Sequence, residues 1–76
     1  MVNDLLVRAI EELDNLNSGE VFLVRDLFKG YEWNRFERND RLRLGVLFLN
    51  EIQSNGELRI EILDKSSSHQ QKYKKL

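Results

Sequence analysis

The stretch LRIEIL at residues 58–63 sets Leu58, Ile60 and Ile62 on one side of an extended chain and Arg59 and Glu61 on the other. Such a half-buried strand needs an apolar surface to cover it. The preceding residues, about 39–54, carry a helical pattern instead, so the chain combines helix and strand. Its 76 residues leave room for one core only. The strand must therefore pack on the helices, with one domain spanning 1–76 and 64–76 as a wing or mobile tail.

The rest of the chain supplies those helices. Leu6, Ala9, Ile10, Leu13 and Leu16 recur at helical spacing, which predicts a helix over 4–16 with Asn3 as its cap. The segment NSG at 17–19 ends it, and Gly19 is suited to positive φ. EVFLV at 20–24 is short and β-branched, hence a strand. RDLFK fits a single helical turn, stopped at Gly30. A loop or isolated turn then runs to Phe36, and a main helix follows over 39–54. Its buried face is expected at Leu42, Val46, Leu49 and Ile52, with Gly45 admitting the close approach of another backbone. KYKKL returns as a second strand. Helix, short strand, short helix, long helix and β-hairpin form the order of a small winged-helix-like α+β domain.

Several kinds of chemistry find no support. There is no cysteine, and the single histidine, His69, has no second ligand beside it, so neither a metal nor a cofactor is expected. No phosphate-cradling glycine loop is present, and neighbouring serines on a polar loop do not fix a nucleophile against His69. A non-enzymatic protein is expected. The N-terminal MVNDLLVRAIEEL has acids at Asp4, Glu11 and Glu12, unlike a signal peptide, and no apolar run approaches the ~20 residues that span a bilayer. The chain reads as soluble and cytoplasmic, without a membrane partner.

Charge is laid out in blocks. Residues 1–28 hold two basic and six acidic side chains, 29–43 five and three, 44–64 one and four, and 65–76 four lysines and no acid. The overall charge is −1, yet two positive regions stand apart from two negative ones. If they meet in space, Arg35, Arg38, Arg41 and Arg43 around the long helix face Lys72, Lys74 and Lys75 of a wing that also holds Lys65. Duplex DNA is the partner expected of such a surface. The alternative is a protein-interaction module, possible also between copies of this chain, with the arginines tied to Glu32, Glu37 and Asp40. An exposed Leu47, Tyr31 or Tyr73 patch would mark it.

The segment FLVRDLFKGYEWNRFERNDRLRLGVLF resembles a family of small bacterial and phage-borne domains of unknown function. Its members share an aspartate-leucine-phenylalanine turn, a glycine, a tryptophan three residues later and an arginine-to-glycine helix. Here these are Asp26, Leu27, Phe28, Gly30, Trp33, Arg41, Leu44, Gly45 and Phe48, within residues 18–53. The resemblance implies a shared fold and transfers no catalytic residue. Phe22, Phe28, Tyr31, Trp33, Phe36 and Phe48 are expected as one core wall, with Trp33 sealing the joint before the long helix.

Overall fold

A computed structural model describes residues 2–76. Helices α1 (Val2–Glu12), α2 (Gly30–Arg35) and α3 (Arg38–Ser54) and strands β1 (Val21–Phe22), β2 (Ile60–Lys65) and β3 (Gln71–Lys75) make up the fold. They follow in the order α1, β1, α2, α3, β2, β3, with 3-10 turns at Leu13–Asn15, Val24–Leu27 and Gly56–Leu58. The strands form one antiparallel sheet in the order β1-β3-β2. This is a small α+β domain of winged-helix-like arrangement.

The strand expected over 58–63 forms two residues later, at 60–65, because Leu58 ends a 3-10 turn and Arg59 takes φ +55°; it pairs with the last residues, Ile60 facing Lys75 and Ile62 facing Tyr73. Leu58 and Ile60 are half-buried against the core. Ile62 is 39% exposed, beside a bulge before Lys65 that adds a residue to β2. Lys72, Lys74 and Lys75, expected in a wing or tail, belong to the central strand.

Helix α1 begins two residues earlier than its spacing suggested, so Asn3 lies inside it. Val2, Leu5, Ala9 and Leu13 are its buried line, while Leu6 and Ile10 flank the core. Asp4 sits in the first turn, where the helix dipole favours a carboxylate. The end tightens into a 3-10 turn, and Gly19 then takes φ +92°, a left-handed conformation that glycine adopts without strain. Its N–H donates to the Lys75 carbonyl (2.7 Å), fastening the connection to β3.

The Asp26 side chain has a local task. Its carboxylate accepts from the Leu23 N–H at 2.9 Å, satisfying an amide at the start of the 3-10 turn. Leu27 and Phe28 then point into the core. Gly30 opens α2 rather than ending a helix, because extended Lys29 separates the two turns. The expected loop before Phe36 is thus mostly helix. No side-chain cap starts α3; Glu37 holds the N-cap position and Asn39 is already helical.

The largest departure concerns α3. Leu44, Phe48 and Ile52 are buried, whereas Leu42 and Val46 are 58% and 60% exposed. Apolar side chains occupy more than half the circumference of this helix at 3.6 residues per turn. Packing against α1 chooses the Leu44–Phe48–Ile52 line, and the Leu42–Val46 line faces out. Gly45 does not admit a neighbouring backbone: a Cβ placed there meets nothing within 4 Å. It costs the helix about 1 kcal/mol against alanine.

The aromatic residues form two clusters. Phe22, Phe48 and Tyr73 make one, with Tyr73 stacked on Phe22 (5.6 Å) and edge-on to Phe48 (5.0 Å). Phe28, Trp33 and Phe36 make the other, at centroid distances of 5.5–5.9 Å around the α2–α3 joint. Tyr31 belongs to neither. It is 54% exposed, beneath Arg35 (5.0 Å) and Lys29 (5.9 Å).

Tyr73, 1% exposed, has its phenol pushed up to about 12 by burial. In the unfolded chain it ionises near 10. Its contribution to stability is therefore complete below pH 10 and lost as pH rises from 10 to 12, amounting to roughly 2–3 kcal/mol. Tyr73→Phe keeps the ring and removes the ionisation. Circular dichroism followed from pH 9 to 12.5 should show its alkaline transition at higher pH than in the wild type; coincident curves would refute this.

Candidate binding groove

The exposed line of α3 forms one wall of a groove of about 550 Å³. Along this wall lie Arg38, Arg41, Leu42, Gly45, Val46 and Leu49. The facing side comes from the hairpin, with Lys65, His69, Gln70 and Gln71, and Leu23, Val24, Arg25 and Trp33 close it off. Tyr73 contributes from the sheet. Aliphatic and aromatic surface is thus surrounded by four cations. Among the described residues, no aspartate or glutamate lines the groove.

The hairpin wall is shaped by its own hydrogen bonds. The Ser66 N–H donates to the Gln70 carbonyl (2.7 Å) and the His69 N–H to the Ser66 carbonyl (2.9 Å). His69 adopts φ +64° to close the turn. The Gln71 amide donates to the Leu63 carbonyl across the bulge. Two polar atoms on the lining are buried without a partner, Arg41 Nε and Gln70 Oε1. An unmade bond of this kind costs about 1–3 kcal/mol.

The two positive regions do not merge as expected. Arg38 and Arg41 are in the groove, but Arg43 lies beside α1 in a shallower depression with Val2, Asn3, Asp40 and Leu47. Arg35 is over Tyr31. Strand alternation turns Lys72 and Lys74 to the sheet face opposite buried Tyr73, where Lys74 is cross-strand from Val21 and Glu61. Lys75 donates through Nζ to the Leu13 carbonyl at 2.9 Å, closing the C-terminal end of α1. Only Lys65 of the terminal lysines joins the groove. Arg25 completes the set and was missed in the sequence because its segment is acidic overall; its place next to the aspartate-leucine-phenylalanine turn was the available signal.

The arginines of α2 and α3 are not tied to nearby acids. Arg8 with Glu32 (2.9 Å) is the single ion pair among the described residues. Its hydrogen bond holds the Glu32 carboxyl below the usual range, and the Arg8 guanidinium also covers Phe28 (5.3 Å), linking α1 to the α2 region. Of Leu47, Tyr31 and Tyr73, any of which could mark a protein-interaction patch, only Tyr31 is exposed; Tyr73 is buried and Leu47 half-buried. Trp33 packs on Phe28 and Phe36 at the joint, as expected, and also borders the groove. Among the described residues no group of three His, Asp or Glu side chains converges as a metal site, and no helix is long and apolar enough to cross a membrane.

Fold and groove together define a winged-helix-like domain with a basic, acid-free apolar cleft between its third helix and its hairpin. The chain belongs to the family described as Domain of unknown function (DUF1413), whose model matches residues 7–75. That span runs from within α1 to the end of β3 and takes in every groove residue. Comparison with curated proteins and with solved structures gave no match.

Proposed function

We propose that this protein is a non-enzymatic binding domain that takes an anionic segment of another protein in the α3–hairpin groove. The observation that carries the reading is the gathering of Arg25, Arg38, Arg41 and Lys65 around exposed Leu42 and Val46, with no acid among the lining residues. A partner must offer negative charge and apolar surface together. A protein segment with carboxylates around a hydrophobic residue does so. A bacterial or phage cytoplasm is the setting that accompanies this reading.

Duplex DNA is the second reading, supported by the placement of α3 in the recognition-helix position beside a hairpin wing. Two observations make it the weaker one. Lys72 and Lys74 are on the outer face of the sheet and Lys75 is engaged with the Leu13 carbonyl, which removes much of the phosphate-binding charge. Leu42 and Val46 would meet base edges, where thymine methyls offer the main apolar contact.

The test is fluorescence anisotropy at low and moderate salt with two labelled probes, a 14-residue peptide rich in glutamate with a central tryptophan and a generic 20-base-pair duplex. The peptide should bind, with affinity falling as salt rises, and a lysine-for-glutamate version should not. Duplex binding without peptide binding would transfer the function to DNA. No binding of either at about 100 µM protein in low salt overturns both readings.

A further inference from the structure

We infer that Gly45 is the floor of a notch that receives one large apolar side chain of the partner segment. The inference rests on the proposed function and names what the segment must carry. Gly45 stands in the middle of the 17-residue helix α3, where alanine would be the better helix former. Its backbone does not have positive φ, and a Cβ there would meet nothing within 4 Å. Neither conformation nor internal packing accounts for a glycine at this position.

Its surroundings do. Gly45 lies on the groove wall with Leu42, Val46 and Leu49 on the same helix and Trp33 nearby. Leaving out a side chain here deepens the cleft where its apolar surface is concentrated. Arg41 and Arg38 lie on the same wall, about one and two turns before it. A tryptophan, phenylalanine or leucine seated over Gly45 would thus have its neighbouring carboxylates beside guanidinium groups, of which Arg41 has an unpartnered Nε. Charge complementarity selects an acidic segment as occupant, and the notch selects its anchor.

The experiment compares two peptides with the same glutamate frame, one with a central tryptophan and one with a central alanine, on the wild type and on Gly45→Ala and Gly45→Leu. Wild type should bind the tryptophan peptide at least about tenfold more tightly, the scale of one well-buried side chain. Gly45→Ala should raise the urea midpoint while weakening the tryptophan peptide severalfold and leaving the alanine peptide unchanged. Gly45→Leu should abolish the preference, and the urea curve shows whether it is folded; Gly45→Ala gives the answer alone if it is not. Equal affinity of wild type for both peptides, or an undiminished preference in folded Gly45→Leu and in Gly45→Ala, overturns the notch and leaves the anionic groove standing. Binding of neither peptide removes the groove's function and the notch with it.

Discussion

Phe48→Ala should unfold most of the population at 37 °C. Phe48 is fully buried where α3 meets both α1 and the sheet, edge-on to Tyr73 and Phe22. Truncating a buried phenylalanine costs about 3–5 kcal/mol, through lost apolar burial and the cavity left behind. A domain this small buries a modest share of its surface and has stability near the low end of the roughly 5–15 kcal/mol range. The matched control is Leu42→Ala on the same helix. Leu42 is mostly exposed, and its loss should change stability by less than about 0.5 kcal/mol. Urea unfolding of the two variants decides. A lower midpoint for Leu42→Ala than for Phe48→Ala would mean that α3 is turned the other way, with Leu42 and Val46 inside.

Arg38→Glu combined with Arg41→Glu should weaken binding of the acidic tryptophan peptide by about 100-fold or more. Each arginine offers a charge-assisted hydrogen bond worth roughly 1.5–3 kcal/mol, and reversal replaces attraction with repulsion. The fold should tolerate the change, since neither arginine is in an ion pair and the Arg41 Nε has no partner to lose. Lys72→Glu with Lys74→Glu makes the same change in net charge on the outer sheet face. At physiological salt, where charges more than about 8 Å apart are screened, that variant should bind within about twofold of wild type. Anisotropy under identical buffer conditions compares them. Equal losses in both would show a response to overall charge, and the groove would lose its claim.

Element order was readable from periodicity, including a strand after the long helix, but not its start, since the 3-10 turn through Leu58 and the left-handed Arg59 leave no mark in the alternation. The orientation of α3 was not readable. Leu42, Val46 and Leu49 form as convincing an apolar line as Leu44, Phe48 and Ile52. Which line is buried depends on where α1 lands, a tertiary choice that local spacing does not encode. The groove was hidden by the same ambiguity, since its apolar wall is the face first expected in the core. Of the charges singled out in the sequence, Arg38 and Arg41 line the groove because both stand on the face of α3 that forms its wall. Lys72, Lys74 and Lys75 lie outside the groove because strand alternation sends two outward, while the third reaches a carbonyl 62 residues away.

The position of β3 at the centre of the sheet also orders events during synthesis. Strands β1 and β2 lie nearly forty residues apart and never touch; each pairs only with β3. A nascent chain lacking residues 71–75 therefore has no sheet at all, and its exposed apolar positions must wait for Tyr73 to occupy the space between Phe22 and Phe48. The helices can form locally as they emerge, but β2 finds its partner only when the short turn to β3 has been made, and β1 must close on β3 across all the chain between them. Cooperative folding of this domain should begin only once residues 71–75 are free of the exit tunnel.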